Sequence, residues 1–91
     1  MARIDMEAFE EGTEIVRVYL ALGLDEAGRV ERALDAAGVE YGVEVEAVDT
    51  RNGFGLRTQR NAAGFWIREP ALDAAEAALL AAKLVKGLVQ R

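Results

Sequence analysis

Val39-Glu40-Tyr41-Gly42-Val43-Glu44-Val45-Glu46-Ala47-Val48 is the stretch from which the rest of the chain is read. Val39, Tyr41, Val43, Val45 and Ala47 share one side of an extended backbone and Glu40, Gly42, Glu44 and Glu46 the other, because successive side chains of a strand point to opposite faces. The apolar side needs a cover and the acidic side needs water. The stretch therefore predicts a strand in a sheet covered on one face.

Immediately upstream, Gly38 stands where a left-handed helix stop belongs, Asp25 reads as the N-cap, and Glu26 suits the positive end of the helix. Between them Ala27, Val30, Leu34 and Ala37 recur at helical spacing and leave Arg29, Glu31 and Arg32 outside, which predicts a helix of about three turns. Further back, Glu14 to Leu22 is dense in β-branched and aromatic residues and predicts a strand. Its alternation places Val16, Val18, Leu20 and Leu22 on the covered face and Ile15, Arg17, Tyr19 and Ala21 on the other.

Downstream, Asp49 to Gly64 breaks every period and contains the turn signal Asn52-Gly53-Phe54-Gly55, which predicts a long hairpin loop or a hairpin with a flexible tip. Phe65 to Arg68 predicts a short strand, stopped by Glu69-Pro70, where proline fits the first position of a helix. The alanine-rich second helix carries Leu72, Ala75, Leu79 and Ala82 as one stripe, with Asp73 near its start and Lys83, Lys86 and Arg91 toward its end. The order βαββα predicts an α+β, two-layer ferredoxin-like sandwich: a roughly three-stranded antiparallel sheet with a right-handed crossover and two helices on one face. No sequence is left for the usual fourth strand. Residues 1–13 are read as an N-terminal extension and 14–91 as a single domain.

Within its 91 residues the chain has no cysteine, histidine or serine. That excludes disulfides, thiolate metal sites, hydrolase triads and imidazole acid–base chemistry. A non-enzyme without cofactor or metal is expected. Glu40, Glu44 and Glu46 on one strand face could offer oxygen ligands to magnesium or act as paired carboxylates, but a solvated face opposing arginines is the simpler reading. Met1 to Gly12 lacks the apolar core of an export signal. The longest apolar run, Ala77 to Ala82, falls far short of the roughly 20 residues of a spanning helix. A cytoplasmic protein without membrane contact is expected.

The net charge of −5 is unevenly spread: residues 1–50 carry 13 acids and 4 bases, residues 51–91 carry 3 acids and 7 bases. The simplest account packs an acidic half against a basic one. Net acidity speaks against nucleic acid as a partner. Asn52 to Leu56 and Val18 to Leu22 echo the paired strands of RNA-recognition domains, but the required base and later aromatic are missing.

Two groups of candidate residues emerge. Arg51, Arg57 and Arg60 with Asn52, Gly53, Phe54 and Gly55 form a candidate ligand or partner loop, in which guanidinium forks and backbone N–H groups could hold a phosphate of a small molecule. A lone Gly-x-Gly is not a nucleotide fingerprint, and a plain turn is the simpler reading. Ile15, Arg17, Tyr19 and Trp66 lie outside the helix-covered parity and form a candidate oligomer face, so a homo-oligomer is expected.

Val16-Arg17-Val18-Tyr19, Ala27 to Leu34, Leu34-Asp35-Ala36-Ala37-Gly38-Val39 and Phe65-Trp66-Ile67-Arg68-Glu69 resemble the corresponding segments of the small prokaryotic signal-transducing domains of the nitrogen-regulatory PII-like superfamily. The resemblance covers residues 14 to 84 and implies a ferredoxin-like fold with a sensing or partner-binding role. PII proteins meet partners and nucleotides through a long loop after the second strand. The resemblance thus gives Asp49 to Gly64 the part of a contact loop, for a protein partner or, alternatively, a nucleotide or small anion.

Overall fold

The computed structural model describes residues 3–51 and 55–89, the side chains of residues 50, 51, 57 and 58 excepted. Strand β1 (Ile15–Ala21) leads into helix α1 (Leu24–Ala37) and strand β2 (Gly42–Arg51), and strand β3 (Arg57–Arg68) leads through a 3-10 turn at Glu69–Ala71 into helix α2 (Leu72–Ala81). The architecture is α+β: a three-stranded antiparallel sheet in the order β1-β3-β2, with two helices. Both helices lie against the same side of the sheet and meet along a groove lined by Ala33, Ala36, Ala37, Ala78, Ala81 and Ala82. Small side chains let the two backbones approach. The core between sheet and helices is built on Tyr19, Tyr41, Phe65, Leu34, Ile67 and Leu79, all fully buried. The rings of Tyr41 and Phe65 meet at 5.8 Å in a tilted pair, a favoured aromatic geometry.

β1 does not keep the single parity expected of it. Arg17 pairs with Trp66 and Tyr19 with Phe65, so Val18 is an extra residue without a partner in β3. This β-bulge reverses the facing of everything after it. Tyr19 and Ala21, expected on the open side, are buried beneath the helices, and Leu20, expected in the core, moves to the helix-free side.

Of the two expectations for Asp49 to Gly64, the structure has the hairpin and not the long loop. Asp49 to Arg51 continue β2, and Arg57 to Gly64 belong to β3, in an unbroken register from Gly42↔Trp66 to Arg51↔Arg57. Gln59, Arg60 and Asn61 are exposed. A ribbon wet on both faces needs no apolar alternation, so its pairing left no mark in the hydrophobic period.

Both helices stop in the same way. Past α1, Gly38 adopts φ 70°, its N–H reaches the Asp35 carbonyl, and the Val39 N–H reaches that of Leu34. Past α2, Lys83 adopts φ 61°, with Lys83 N–H to the Leu80 carbonyl and Leu84 N–H to that of Leu79. Each is a left-handed Schellman stop, closed by an apolar contact between the residue after the stop and the helix's last turn. Val39 and Leu84 are accordingly buried. α2 therefore ends at Ala81, and Lys83 and Lys86 lie beyond it rather than in its last turn.

The freed C-terminal segment returns to the sheet. Leu88 forms an antiparallel bridge with Tyr19, the Leu20 N–H donates to the Gly87 carbonyl at 2.8 Å, and the Val89 N–H donates to Val18 at 3.1 Å. The outer edge of β1, expected to lack a neighbour, is thus capped by residues 87–89. Gly87 is required there: a Cβ would fall 2.0 Å from the Leu20 carbonyl oxygen. The residues before β1 are engaged as well. Arg3 makes a parallel bridge with Tyr41, and Met6–Ala8 form a 3-10 turn.

Candidate functional site

The helix-free face of the sheet is where the predicted oligomer residues were to meet. Three of the four remain on it: Ile15 opposite Arg68, and Arg17 and Trp66 opposite one another. Tyr19 does not, for the reason the bulge supplies. Nor is the face bare. A Cβ at Gly42 would meet the Met6 sulfur at 2.5 Å and the Phe9 ring at 2.9 Å, so the segment before β1 is laid over the sheet at this point. The Phe9 ring also carries the Arg68 guanidinium at 5.2 Å from its centre, a cation–π contact.

The acids of β2 are held here by neighbouring strands. Glu46 lies over Gly64 and pairs with Arg17, and Glu40 pairs with Arg68 at 3.0 Å. Among the described residues no group of three acids is gathered to hold a metal ion. Glu46 Oε2 and Trp66 Nε1 are buried without a hydrogen-bond partner among the described residues. The missed signals on this face were Gly42 and Gly64. A glycine within a strand marks a place where something comes close to the backbone.

Of the residues predicted for a ligand or partner loop, Arg51, Gly55, Arg57 and Arg60 fall within the described backbone of the β2–β3 ribbon. Arg51 and Arg57 are opposite partners in the ribbon ladder, Gly55 lies in the turn with φ 77°, and Arg60 donates to the Leu22 carbonyl at 3.4 Å. Asn52, Gly53 and Phe54 lie outside the described residues. What the ribbon offers is surface. Val45 is on the side that faces the helices, yet it is 70 % exposed, because the strands run on past the helix layer. Leu56 at the turn is 63 % exposed.

A third region was not found from the sequence. Two adjoining clefts of about 350 Å³ each flank the junction of β1, the start of α1 and the C-terminal segment. One has apolar walls from Leu20, Leu22, Leu88 and Val89; the other is rimmed by Arg29, Lys83 and Lys86 together with the acids Asp25 and Glu26. Glu26, in the first turn of α1, accepts the Tyr19 hydroxyl at 2.7 Å and the Leu22 N–H at 3.1 Å. Its charge there is satisfied by two donors. Burial, and then the Glu26 carboxylate, push the Tyr19 hydroxyl above its ordinary value of 10.0; the Gly87 backbone and Arg29 oppose the shift. Burial pushes Tyr41 up further, helped by the negative charges of Glu31 and Asp35. Both shifts move away from neutrality, so the two hydroxyls act as donors to carboxylates and not as bases near pH 7.

Comparison of the chain with protein-family models, with curated proteins and with solved structures finds no match. Among the described residues no helix is long and apolar enough to cross a membrane.

Proposed function

We propose that this chain is a non-enzymatic interaction module of ferredoxin-like, PII-like design, which meets a protein partner through the ribbon formed by β2 and β3. The observation that carries the reading is the length of that ribbon beyond the helices, with Val45 exposed on the side where a core residue would be covered. An element built for stability would bury such a side chain. The expectation of a homo-oligomer rested on two aromatics in water, and it loses force because Tyr19 is in the core and Met6 and Phe9 lie over Gly42.

The second reading, a regulatory domain for a nucleotide or small anion, draws on the cleft rimmed by Arg29, Lys83 and Lys86. Two measurements separate the readings. Replacing residues 49–59 by Asn-Gly shortens the ribbon at the Val48↔Arg60 pair. The variant is expected to melt within about 4 °C of the parent; a larger fall makes the ribbon a stability element and refutes its role as a contact surface. Nucleotides and inorganic anions are expected to leave the melting temperature unchanged. A rise with concentration, as mass action requires of a ligand bound to the native state, overturns the proposal in favour of the second reading.

A further inference from the structure

β2 is an outer strand, and β3 satisfies only one of its two edges. Among the described residues the other edge is engaged once, just before its start: Arg3 pairs in parallel with Tyr41, and the Ile4 N–H donates to the Tyr41 carbonyl at 2.8 Å. The chain then leaves through the turn at Met6–Ala8, and among the described residues no strand lies beside the outer edge from Val43 to Val48.

Such an edge is a template for strand addition, and proteins that need to block it use charged side chains, lysine above all, or proline or a bulge. β2 has no lysine, proline or bulge, and its acids turn away an acidic or identical strand while favouring a basic one. Its register with β3 is unbroken over ten pairs. Its side chains alternate between exposed Glu44 on the helix-free side and exposed Val45, Ala47 and Asp49 on the other. Neither Glu44 nor Asp49 has an ion-pair partner among the described residues.

We infer that the outer edge of β2 receives an extended segment of a partner protein in which lysine or arginine alternates with apolar residues, added as a strand beyond the point where Arg3 leaves off. Each row of the added strand then meets its complement: cations face Glu44, and apolar side chains cover Val45 and Ala47. Arg3 gives an instance of strand addition at this edge within the chain, since its backbone pairs in parallel with Tyr41. A second copy fits the edge poorly. β2 laid on β2 extends the acidic row of Glu44 and Glu46 in one copy with the same acidic row of the other, and like charges across a ladder are destabilising. The inference rests on the interaction-module reading and supplies the chemistry of the partner.

The test is fluorescence anisotropy with a labelled peptide of alternating lysine and valine. Binding is expected, weakening as salt is added and falling about tenfold or more with the same peptide N-methylated at alternate residues, which keeps the charge but removes ladder hydrogen bonds. Glu44→Lys is expected to weaken it too, and a glutamate–valine peptide is expected not to bind. Equal binding of the N-methylated peptide reduces the contact to charge and overturns the inference; so does failure of the lysine–valine peptide to bind. A concentration-dependent dimer of the protein that this peptide does not dissociate hands the edge to a second copy and overturns it as well. The ribbon-shortened variant keeps Gly42 to Val48. A missing peptide complex with unchanged melting of that variant therefore sinks the edge inference alone, whereas a large fall in its melting sinks the interaction reading itself.

Discussion

Gly87→Ala tests the seam that closes the sheet on its β1 side. The new methyl group would lie 2.0 Å from the Leu20 carbonyl oxygen and 2.6 Å from the Tyr19 ring, and the nearest of these atoms is backbone that cannot swing aside. The C-terminal segment has to move off. Two backbone hydrogen bonds go with it, Leu20 to Gly87 and Val89 to Val18, each worth about 0.5–1.5 kcal/mol. Leu88, partly buried against the core, loses part of the roughly 1.5–3 kcal/mol of a fully buried leucine. The total is about 2–4 kcal/mol, a large share of the roughly 5–14 kcal/mol expected of a domain this size. The melting temperature should then fall by about 10–25 °C, and the Leu20 amide should exchange freely with solvent. Thermal unfolding by circular dichroism and amide exchange read the two effects independently. A variant that melts within about 3 °C of the parent with Leu20 still protected would refute the claim that this segment completes the sheet.

Lys83 holds a left-handed conformation that costs a non-glycine residue about 1 kcal/mol, so Lys83→Gly should raise the denaturation midpoint, and a lowered midpoint would contradict the Schellman assignment. Tyr19 and Tyr41 bind their protons more tightly folded than unfolded. The stability they contribute is complete below the ordinary tyrosine value of 10.0 and is lost as pH rises through the raised folded values. Urea midpoints from about pH 9 to about pH 12 should therefore fall with a slope that the Tyr19→Phe, Tyr41→Phe double variant makes shallower. Gly42→Ala should dislodge Met6 and Phe9 while leaving the sheet paired, seen as faster proteolysis before Thr13 with an unchanged circular dichroism spectrum; unchanged proteolysis would show that this segment has no hold on the face.

The parts of the fold legible in the sequence were those whose cause is local. β2 up to Val48 showed its period, Val30 and Leu34 showed the buried stripe of α1, and Gly38 and Pro70 marked their boundaries. The parts that escaped had causes elsewhere in the chain. Nothing in Arg17-Val18-Tyr19 announces an extra residue, because a bulge is defined by what the partner strand does. Lys83 takes a place that glycine usually signals, although the pattern Leu79-x-x-x-Lys83-Leu84 repeats Leu34-x-x-x-Gly38-Val39 once the helix ends are known. The candidate site fared similarly. Arg17 and Trp66 were placed together correctly, but the clefts beside Glu26 depended on the return of Leu88, which no short-range signal predicts. Gly87 is the one residue whose presence could have hinted at it.

The sheet order has a consequence for how the chain could be divided. From edge to edge the sequence runs Leu88 segment, β1, β3, β2, so no two neighbouring strands come from the same side of the turn between Arg51 and Arg57. Every seam between strands joins the first part of the chain to the second, and the Arg3–Tyr41 bridge is internal to the first part. A chain cut after Gly53 would give two pieces, one with β1, α1 and β2 and the other with β3, α2 and the Leu88 segment, and neither could pair its strands alone. The pieces would also differ in sign, with 13 acids and 5 bases in residues 1–53 against 3 acids and 6 bases in residues 54–91, or −8 against +3. The uneven charge along the sequence would then act between two molecules, drawing together fragments that are each unfolded until they interleave.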